Sequence, residues 1–255
     1  MTDPPLNAAI VVQARMGSSR LPGKTLKTLA GRRMLRHVVN RLAAAPVAGP
    51  LVVATSNHPG DDFIASWCEA AEVDCFRGSE DDVLDRFRRA AEPLDVDYIV
   101  RATADNPLVW EGAVGHLGRI IIEQRCQYVS YTHHMPLGLA LEVFTKETLL
   151  RAAAEATEPH HREHVTAYIY DNRDRFDCLW ISPPKELEGG FRLTIDTEED
   201  FELMRQIYDR LYVPGEVLPT AEAVALLRRE PRLAAINAHI RQKPHTESAG
   251  GKIET

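Results

Sequence analysis

The stretch that decides the fold is Ala8-Ala-Ile-Val-Val12, which runs directly into Gln13-Ala-Arg-Met-Gly-Ser-Ser-Arg-Leu-Pro-Gly-Lys-Thr25. The first part is a short apolar run that predicts a buried β-strand. The second part is a polar loop with two glycines, two serines, two arginines and a lysine. Backbone N–H groups in such a loop can point at phosphate oxygens while the cationic side chains neutralise the charge. The two parts together predict a strand that ends in a polyanion-binding loop.

The loop does not have the spacing of a P-loop. That pattern places four residues between its two glycines, ahead of Lys and Ser or Thr. Here Gly17 and Gly23 enclose five residues, and Pro22 lacks the N–H group that a phosphate cradle would use. The spacing therefore disfavours a P-loop kinase, an alternative that formation of ADP from ATP would revive.

Apolar runs alternate with helical patterns along the rest of the chain, which is typical of an α/β fold with a mostly parallel sheet and helices on both faces. The predicted strands are 9–12, 51–55, 73–76, 98–102, 128–131 and 178–181. The predicted helices are 34–45, 61–71, 82–91 and 113–124, with two late helices at 220–227 and 231–239 and another that opens after Asp196.

No composition break divides the chain, so we expect one domain over residues 1–241. The segment at about 135–150 interrupts the alternation of strands and helices. We interpret it as an excursion over the active site or toward a partner subunit. Residues 242–255 are polar and lack an apolar pattern, which predicts a disordered tail.

Composition excludes several classes of protein. The 255-residue chain has a formal net charge of −7, which argues against nonspecific nucleic-acid binding because that requires a basic face. No apolar run approaches the roughly eighteen residues of a membrane span. The first residues lack the basic and apolar regions of a signal peptide, and the four cysteines are scattered without a C-x-x-C pair. We therefore expect a cytoplasmic protein with reduced thiols and with no nucleic-acid or membrane partner.

Two aspartates follow predicted strands. Asp105 comes just after the apolar run at 98–100, and Asp196 follows the short run at 191–195. Open α/β sheets place ligands at the carboxyl ends of their strands, and Mg²⁺ prefers one or two carboxylates together with substrate phosphates and water. The pattern therefore predicts a magnesium site formed by the two aspartates. Capping of the helix that follows is the alternative role for Asp196.

The loop motif resembles a known family. Ala14-Arg-x-Gly-Ser-x-Arg-Leu-Pro-Gly-Lys24 after a first strand is similar to the cytidylyltransferases that activate acidic sugars, the CMP-sialate and CMP-KDO synthetases. The branch named for spore coat polysaccharide biosynthesis proteins of the F type matches best. Further matches are Cys75-Phe-Arg-Gly78, Arg101-Ala-Thr-Ala-Asp-Asn-Pro107, Arg162-Glu-His-Val-Thr166 and Leu193-Thr-Ile-Asp196.

This resemblance implies a Rossmann-like nucleotidyltransferase fold of the GT-A type. It also implies CTP as a substrate, Mg²⁺ as the cofactor, a small-molecule acceptor, release of pyrophosphate and a homodimer. The metal ligands would be Asp105 and Asp196, and the catalytic residues Arg15, Lys24 and Asp105. The implied nucleotide-binding residues are Ala14, Arg15, Met16, Gly17, Ser18, Ser19, Arg20, Lys24, Arg77, Arg101, Thr103 and Ala104.

Several of these residues also have structural interpretations. Arg20 could pair with a carboxylate and fix the shape of the loop, and Thr103 could simply fill its strand. Asp82 and Arg86 match the family pattern but have the i,i+4 spacing of a helix salt bridge. The sequence leaves each of these alternatives open.

The acceptor side is implied by two further segments. The resemblance assigns Glu142, Arg162 and His164 to acceptor binding, and a carboxylate or histidine there could act as general base. The segment Leu137-Gly-Leu-Ala-Leu-Glu142 is more apolar than the family pattern of Asp-Gly-x-Asp/Glu before the glutamate. This departure leaves open which acceptor is used: a sugar acid, a sugar phosphate, a phosphonate or a polyol phosphate.

Other functions stay open on the sequence alone. His160 and His164 have the i,i+4 spacing of a helical zinc pair. A nucleotide-sugar glycosyltransferase of similar fold would commonly hold its metal with Asp-x-Asp, whereas Asp105-Asn-Pro offers one carboxylate. A catalytically silent nucleotide-binding protein is the third alternative. It would bind CTP and release no pyrophosphate.

Overall fold

The computed structural model describes residues 5–18 and 20–242. The strands are β1 (Ala8–Gln13), β2 (Thr28–Leu29), β3 (Arg32–Arg33), β4 (Leu51–Ser56), β5 (Asp74–Gly78), β6 (Tyr98–Thr103), β7 (Tyr128–Tyr131), β8 (Glu142–Thr145) and β9 (Cys178–Ile181). The helices are α1 (Met34–Ala43), α2 (Asp62–Ala70), α3 (Val83–Ala91), α4 (Ala113–Gln124), α5 (Lys146–Glu155), α6 (Pro159–Glu163), α7 (Ala167–Asp171), α8 (Glu198–Leu211), α9 (Thr220–Arg229) and α10 (Pro231–Ala234).

Seven strands form one sheet in the order β5-β4-β1-β6-β8-β7-β9, and β2 pairs with β3 in a small hairpin. All neighbours in the large sheet are parallel except β8, which is antiparallel to both β6 and β7. Successive residues of β1 enter different core clusters: Ile10 and Val12 pack on one face, Val11 on the other. Both faces of the sheet are therefore covered, which explains why β1 reads as a continuous apolar run. The predicted α/β class and mostly parallel sheet are confirmed.

The chain order creates a switch point beside β1. The chain passes from β1 to β4 and β5 on one side of the sheet and then returns to β6 on the other side of β1. Gln13 at the end of β1 lies opposite Thr103 at the end of β6. The loop after β1 and the turn after β6 thus leave the sheet side by side, where open α/β sheets bind their ligands.

The segment predicted as an excursion contains a strand and the start of a helix. Residues 142–145 form β8, inserted between β6 and β7, and α5 begins at Lys146. Within the predicted segment, residues 135–141 form no helix or strand, and Leu137 makes an isolated bridge to Arg192. A four-residue strand that starts with a glutamate has too little apolar pattern to be recognised in a sequence.

Gly138 lets the irregular segment before β8 pack closely against the backbone of Leu193 and Thr194. Its φ is +96°, and an added Cβ would lie 2.5 Å from the carbonyl group of Leu193. The N–H of Leu193 donates a hydrogen bond of 2.7 Å to the carbonyl oxygen of Leu137 at this point. Because Leu193 leads directly into Asp196, the close approach helps to set the position of one predicted metal ligand.

We expect Gly138→Ala to destabilise the fold by about 2–3 kcal/mol. The added Cβ would be strained at a positive φ and would also clash with the backbone of Leu193. Thermal unfolding measures this change. Gly190→Ala is the matched control, since no atom lies within 4 Å of an added Cβ there. Equal melting temperatures for the two variants would contradict the packing described here.

The C-terminal elements close the fold. Thr197 and Asp200 form a capping box at the start of α8. The predicted late helices are present as α9 and α10, although α10 ends at Ala234, before the predicted residue 239. The Oε1 atom of Gln242 accepts a hydrogen bond of 2.7 Å from Arg192. The rest of the predicted tail, 243–255, lies outside the described residues.

Among the helices of the described chain, none has the length and apolarity to cross a membrane.

Candidate active site

A cavity of about 730 Å³ opens at the carboxyl ends of β1 and β6. It brings together eleven of the predicted site residues, namely Arg15, Ser18, Arg20, Lys24, Arg101, Thr103, Ala104, Asp105, Glu142, His164 and Asp196. Five predicted residues do not line it, namely Ala14, Met16, Gly17, Arg77 and Arg162. Ser19 lies outside the described residues. The cavity therefore unites the loop after β1 at 13–25, called the phosphate loop after its predicted role, with both predicted metal ligands and part of the predicted acceptor site.

Lys24 joins the two aspartates. Its Nζ lies 2.8 Å from Asp105 Oδ2, 2.8 Å from Asp196 Oδ1 and 2.7 Å from the carbonyl oxygen of Ile195. Burial alone would lower the pKa of Lys24, but the two carboxylates outweigh it and raise that pKa above its usual value. Lys24 therefore stays charged. Its contacts connect the phosphate loop to Asp105 after β6 and to Ile195 and Asp196 before α8.

Asp196 is held as an ionised carboxylate. Burial would raise its pKa, but Lys24, Arg20 and Arg192 outweigh it and hold that pKa below its usual value. Its Oδ2 lies 3.0 Å from Arg20 and 2.7 Å from Arg192. Arg20 therefore does pair with a carboxylate, as the structural interpretation of that residue expects.

The N-cap of α8 is Thr197, not Asp196. The side chain of Asp200 accepts hydrogen bonds from the backbone N–H groups of Asp196 and Thr197. Arg192 in turn donates to Asp200 at 2.9 Å. Because the neighbouring residues perform the capping, the carboxylate of Asp196 can face the cavity.

Asp105 is oriented by its own strand end. Thr103 Oγ1 donates to Asp105 Oδ1 at 2.6 Å, and Asn106 Nδ2 donates to Thr103 at 2.9 Å. The carbonyl oxygen of Asp105 accepts a hydrogen bond of 2.9 Å from the N–H of Ile195. Thr103 is therefore more than strand filling, because it fixes the carboxylate that faces Lys24.

The donor set fits a divalent cation. The carboxylates of Asp105 and Asp196 converge from two segments on one ammonium group, at 2.8 Å each. Two carboxylates that face one point beside a phosphate-binding loop are the protein ligands that Mg²⁺ prefers. These two aspartates are therefore the residues that would hold the ion.

The phosphate loop is braced by internal contacts. Thr25 Oγ1 donates to the carbonyl oxygen of Arg15 at 2.8 Å, and the N–H of Met16 donates to the buried Asp61 at 2.7 Å. The N–H of Ser18 donates to the carbonyl oxygen of Met16 at 3.0 Å. The resemblance assigns Ser18 to nucleotide binding, but its N–H is already bonded within the loop. Asp61 follows β4 on a short helical turn, and nothing in the sequence marked it as the loop's anchor.

Glu142 lies at the other end of the cavity in a closed network. Its oxygens accept hydrogen bonds from Arg101, from Tyr128 at 2.5 Å and from Thr166 at 2.8 Å. Burial would raise the pKa of Glu142, but these partners outweigh it and hold that pKa below its usual value. Arg101 also donates to Gln13 at 3.2 Å. Glu142 is therefore an ionised residue that positions Arg101.

A second cavity of about 330 Å³ adjoins the first. The two cavities share Arg101, Glu142 and His164. The other residues around the second cavity are mostly aromatic or cationic, namely Tyr128, Thr166, Tyr170, Arg173 and Trp180. The guanidinium of Arg173 stacks over Trp180 at 4.3 Å from the ring centroid. The Glu142 network therefore separates a region lined by the cationic residues of the loop from a more aromatic one.

Two predicted arginines have structural partners instead. Arg162 donates to Asp82 at 2.9 Å and to the carbonyl oxygen of Ala153 at 2.7 Å, which links α3 to α5. Arg77 donates to the carbonyl oxygen of Ser56 at 2.9 Å. The alternative helix salt bridge between positions 82 and 86 is also replaced, because the guanidinium of buried Arg86 bonds the carbonyl oxygen of Ser79 at 2.6 Å. These side chains connect elements of the fold and lie outside the cavity lining.

The structure adds residues that the sequence did not single out. Gln13, Thr194 and Gln242 line the main cavity together with Glu163. The two histidines that the sequence singled out as a possible zinc pair, His160 and His164, differ in their surroundings. His164 lies in the cavity wall, whereas His160 lies beside His161. Single polar residues at strand ends carry no pattern, so only the tertiary structure reveals them.

Comparison with known proteins agrees with this geometry. Residues 9–222 match the family model described as cytidylyltransferase. The chain is 34% identical to the spore coat polysaccharide biosynthesis protein SpsF of Bacillus subtilis, over 88% of this chain and 95% of that protein. It is 37% identical to an uncharacterised protein of Methanocaldococcus jannaschii, over 93% of this chain and 97% of that protein.

A solved structure extends the agreement to the fold. A cytidylyltransferase from Leptospira borgpetersenii superposes with a TM-score of 0.81 at 27% sequence identity, covering 90% of this chain and 97% of that one. The family match spans the phosphate loop, Asp105 and Asp196, which are the residues that meet at Lys24. The chain therefore belongs to the cytidylyltransferase family of nucleotidyltransferases.

Proposed function

We propose that the protein transfers CMP from CTP to an acidic sugar or to another small acceptor with a hydroxyl, phosphate or phosphonate group, and releases pyrophosphate. One observation carries this proposal. Lys24 bridges Asp105 and Asp196 at 2.8 Å each, where the phosphate loop enters the cavity. This arrangement sets positive and negative groups around one point, as the transfer of a nucleotidyl group from a triphosphate requires.

The loop residues would bind the triphosphate. Arg15, Arg20 and Lys24 line the same end of the cavity, where their charges can neutralise the phosphates and the pyrophosphate that leaves. The acceptor oxygen forms a bond to the α-phosphorus as the bond from that phosphorus to the bridging oxygen of pyrophosphate breaks. Mg²⁺ held by Asp105 and Asp196 would supply charge neutralisation at the phosphates.

The acceptor would enter from the Glu142 end. The two cavities meet at Arg101, Glu142 and His164, so an acceptor in the second cavity can reach a nucleotide in the first. Glu142 is occupied by three donors and is unsuited to accept a proton. Glu163 and His164 line the main cavity and are the candidates for accepting the proton of an acceptor hydroxyl.

A pyrophosphate-release assay with CTP and Mg²⁺ tests this function. The acceptor panel would contain sugar acids, sugar phosphates, phosphonates and polyol phosphates. CTP-dependent release with at least one acceptor, and formation of the CMP-linked product by mass spectrometry, is the expected result. Transfer from a UDP-sugar without any use of CTP would identify a glycosyltransferase instead. CTP binding without release across the panel would favour a catalytically silent protein.

Assembly and location are part of the same proposal. We infer a homodimer, as the family resemblance implies, and within the predicted excursion at 135–150 the exposed apolar residue Leu137 is a candidate contact. Sedimentation velocity would show a monomer if this is wrong.

The use of CTP also favours a cytoplasmic location, which fractionation of the source cells would test.

A further inference from the structure

A cluster of two histidines and one aspartate lies outside the cavity. His160 and His161 belong to α6, and Asp171 is the last residue of α7. The ligand atoms of the three side chains all lie within 4.8 Å of one another. None of the three lines either of the two cavities described above, so the proposed reaction leaves the cluster without a role.

The distances within the cluster suit a tetrahedral ion. The Nε2 atoms of His160 and His161 lie 3.6 and 3.1 Å from Asp171 Oδ2. Ligand atoms that are about 2.0–2.1 Å from a tetrahedral zinc ion lie about 3.3 Å from each other. The two observed separations bracket that value, and the histidine rings are 3.9 Å apart between centroids. Little movement is needed to place one ion among the three atoms.

One residue of the cluster is packed in the protein interior, and the other two are accessible to solvent. His161 is 9% exposed, and the ring of Tyr168 packs edge-on against it at 5.2 Å. The Nδ1 atom of His161 is buried without a hydrogen-bond partner, so Nε2 is the ring nitrogen that meets a polar group. The side chains of His160 and Asp171 are 24% and 48% exposed, which gives an ion and a coordinating water access from solvent.

We propose that His160, His161 and Asp171 form a binding site for a transition-metal ion of the zinc type, separate from the aspartate pair at Lys24. Imidazole ligands favour zinc and similar ions, whereas Mg²⁺ prefers oxygen ligands. The ion would connect α6 to α7. The residues between these helices include His164 and Thr166, which line the cavities, so the metal would stiffen the wall of the acceptor region.

Zinc titration of the full chain tests the proposal. The protein is stripped with a chelator, desalted and titrated with Zn²⁺ by calorimetry, and with Co²⁺ by visible absorption, which reports tetrahedral coordination. We expect one Zn²⁺ per chain at the cluster, unaffected by millimolar Mg²⁺. His160→Ala and Asp171→Asn should each weaken the zinc affinity at least about tenfold. His160, which is partly exposed, and Asp171, which is exposed, are preferable to buried His161, whose replacement would risk unfolding α6.

Matched controls separate this site from other zinc contacts. His133 and His134 form a second adjacent pair with ring centroids 4.3 Å apart, so the double variant His133→Ala/His134→Ala should keep wild-type zinc affinity. Asp105→Asn should keep it as well. The proposal is overturned if the wild-type chain binds no zinc, if the His160 and Asp171 variants bind it as well as wild type, or if the His133/His134 variant loses it. Circular dichroism confirms that each variant is folded.

Discussion

Asp105→Asn is expected to reduce CTP-dependent pyrophosphate release by about 10²- to 10³-fold, the range found when one stabilising group is removed from a preorganised site. The amide keeps the shape of the side chain but removes one of the two carboxylates that converge on Lys24. The proposed Mg²⁺ would then be left with Asp196 alone. The measurement is the rate of pyrophosphate release with the best acceptor of the panel.

A second readout makes this prediction independent of the acceptor. In Asp105→Asn, the part of the CTP-induced thermal shift that depends on Mg²⁺ should disappear, while the shift caused by CTP alone should persist. Asp95→Asn is the matched control, because Asp95 is an exposed aspartate just before β6. A variant at position 105 that kept near-full pyrophosphate release would show that the metal assignment is wrong.

Lys24→Met is expected to slow pyrophosphate release roughly 30- to 10³-fold. This decrease corresponds to a loss of about 2–4 kcal/mol of transition-state stabilisation. Lys24 is buried, and its ammonium contacts both aspartates and a backbone carbonyl. Its removal leaves two carboxylates with less compensating charge. We therefore also expect a loss of stability of about 1–3 kcal/mol, smaller than for a fully buried pair because Arg20 and Arg192 still contact Asp196.

Lys27→Met provides the control for Lys24. Lys27 lies one helical turn away, and its Nζ pairs with Glu198 at 2.8 Å outside the cavity lining. The same substitution there should change stability by less than about 1 kcal/mol and leave activity intact. If the Lys24 and Lys27 variants had equal activity and equal CTP affinity, the role assigned to Lys24 would have to be abandoned.

The sequence predicts the parts of the fold that depend on local pattern. β1 is a continuous apolar run because both of its faces are buried, and β6 begins with the apolar residues 98–100. The positions of both strands, and of the polar loop between Gln13 and Thr25, can therefore be predicted from the sequence. Asp105 follows β6 and lies in the cavity as the strand-end rule predicts. Asp196 lies there too, but residues 191–195 form no strand and make only an isolated bridge between Arg192 and Leu137, so the expectation of a strand end at Asp196 is wrong. Strand ends in a parallel sheet gather at one edge, which is why a local rule places distant residues in one site.

The remainder depends on tertiary contacts that leave no local trace. β8 is four residues long and begins with a charged residue whose partners, Arg101, Tyr128 and Thr166, come from three other segments. Arg162 matches a family motif, yet its side chain is bonded to Asp82 and a carbonyl group. A motif identifies a residue type at a position, whereas the direction of its side chain is decided by charges that the fold brings near.

Nucleotide binding tests the central claim most directly. Thermal unfolding would be measured with CTP, UTP, ATP, GTP and UDP-sugars, each with and without Mg²⁺. A ligand that binds only the folded state adds about 2.7 kcal/mol of stability at a hundredfold its dissociation constant. We predict a shift that is specific to CTP and enhanced by Mg²⁺. A shift with UDP-sugars alone, or no shift with any nucleotide, would contradict the assignment of the cavity to CTP.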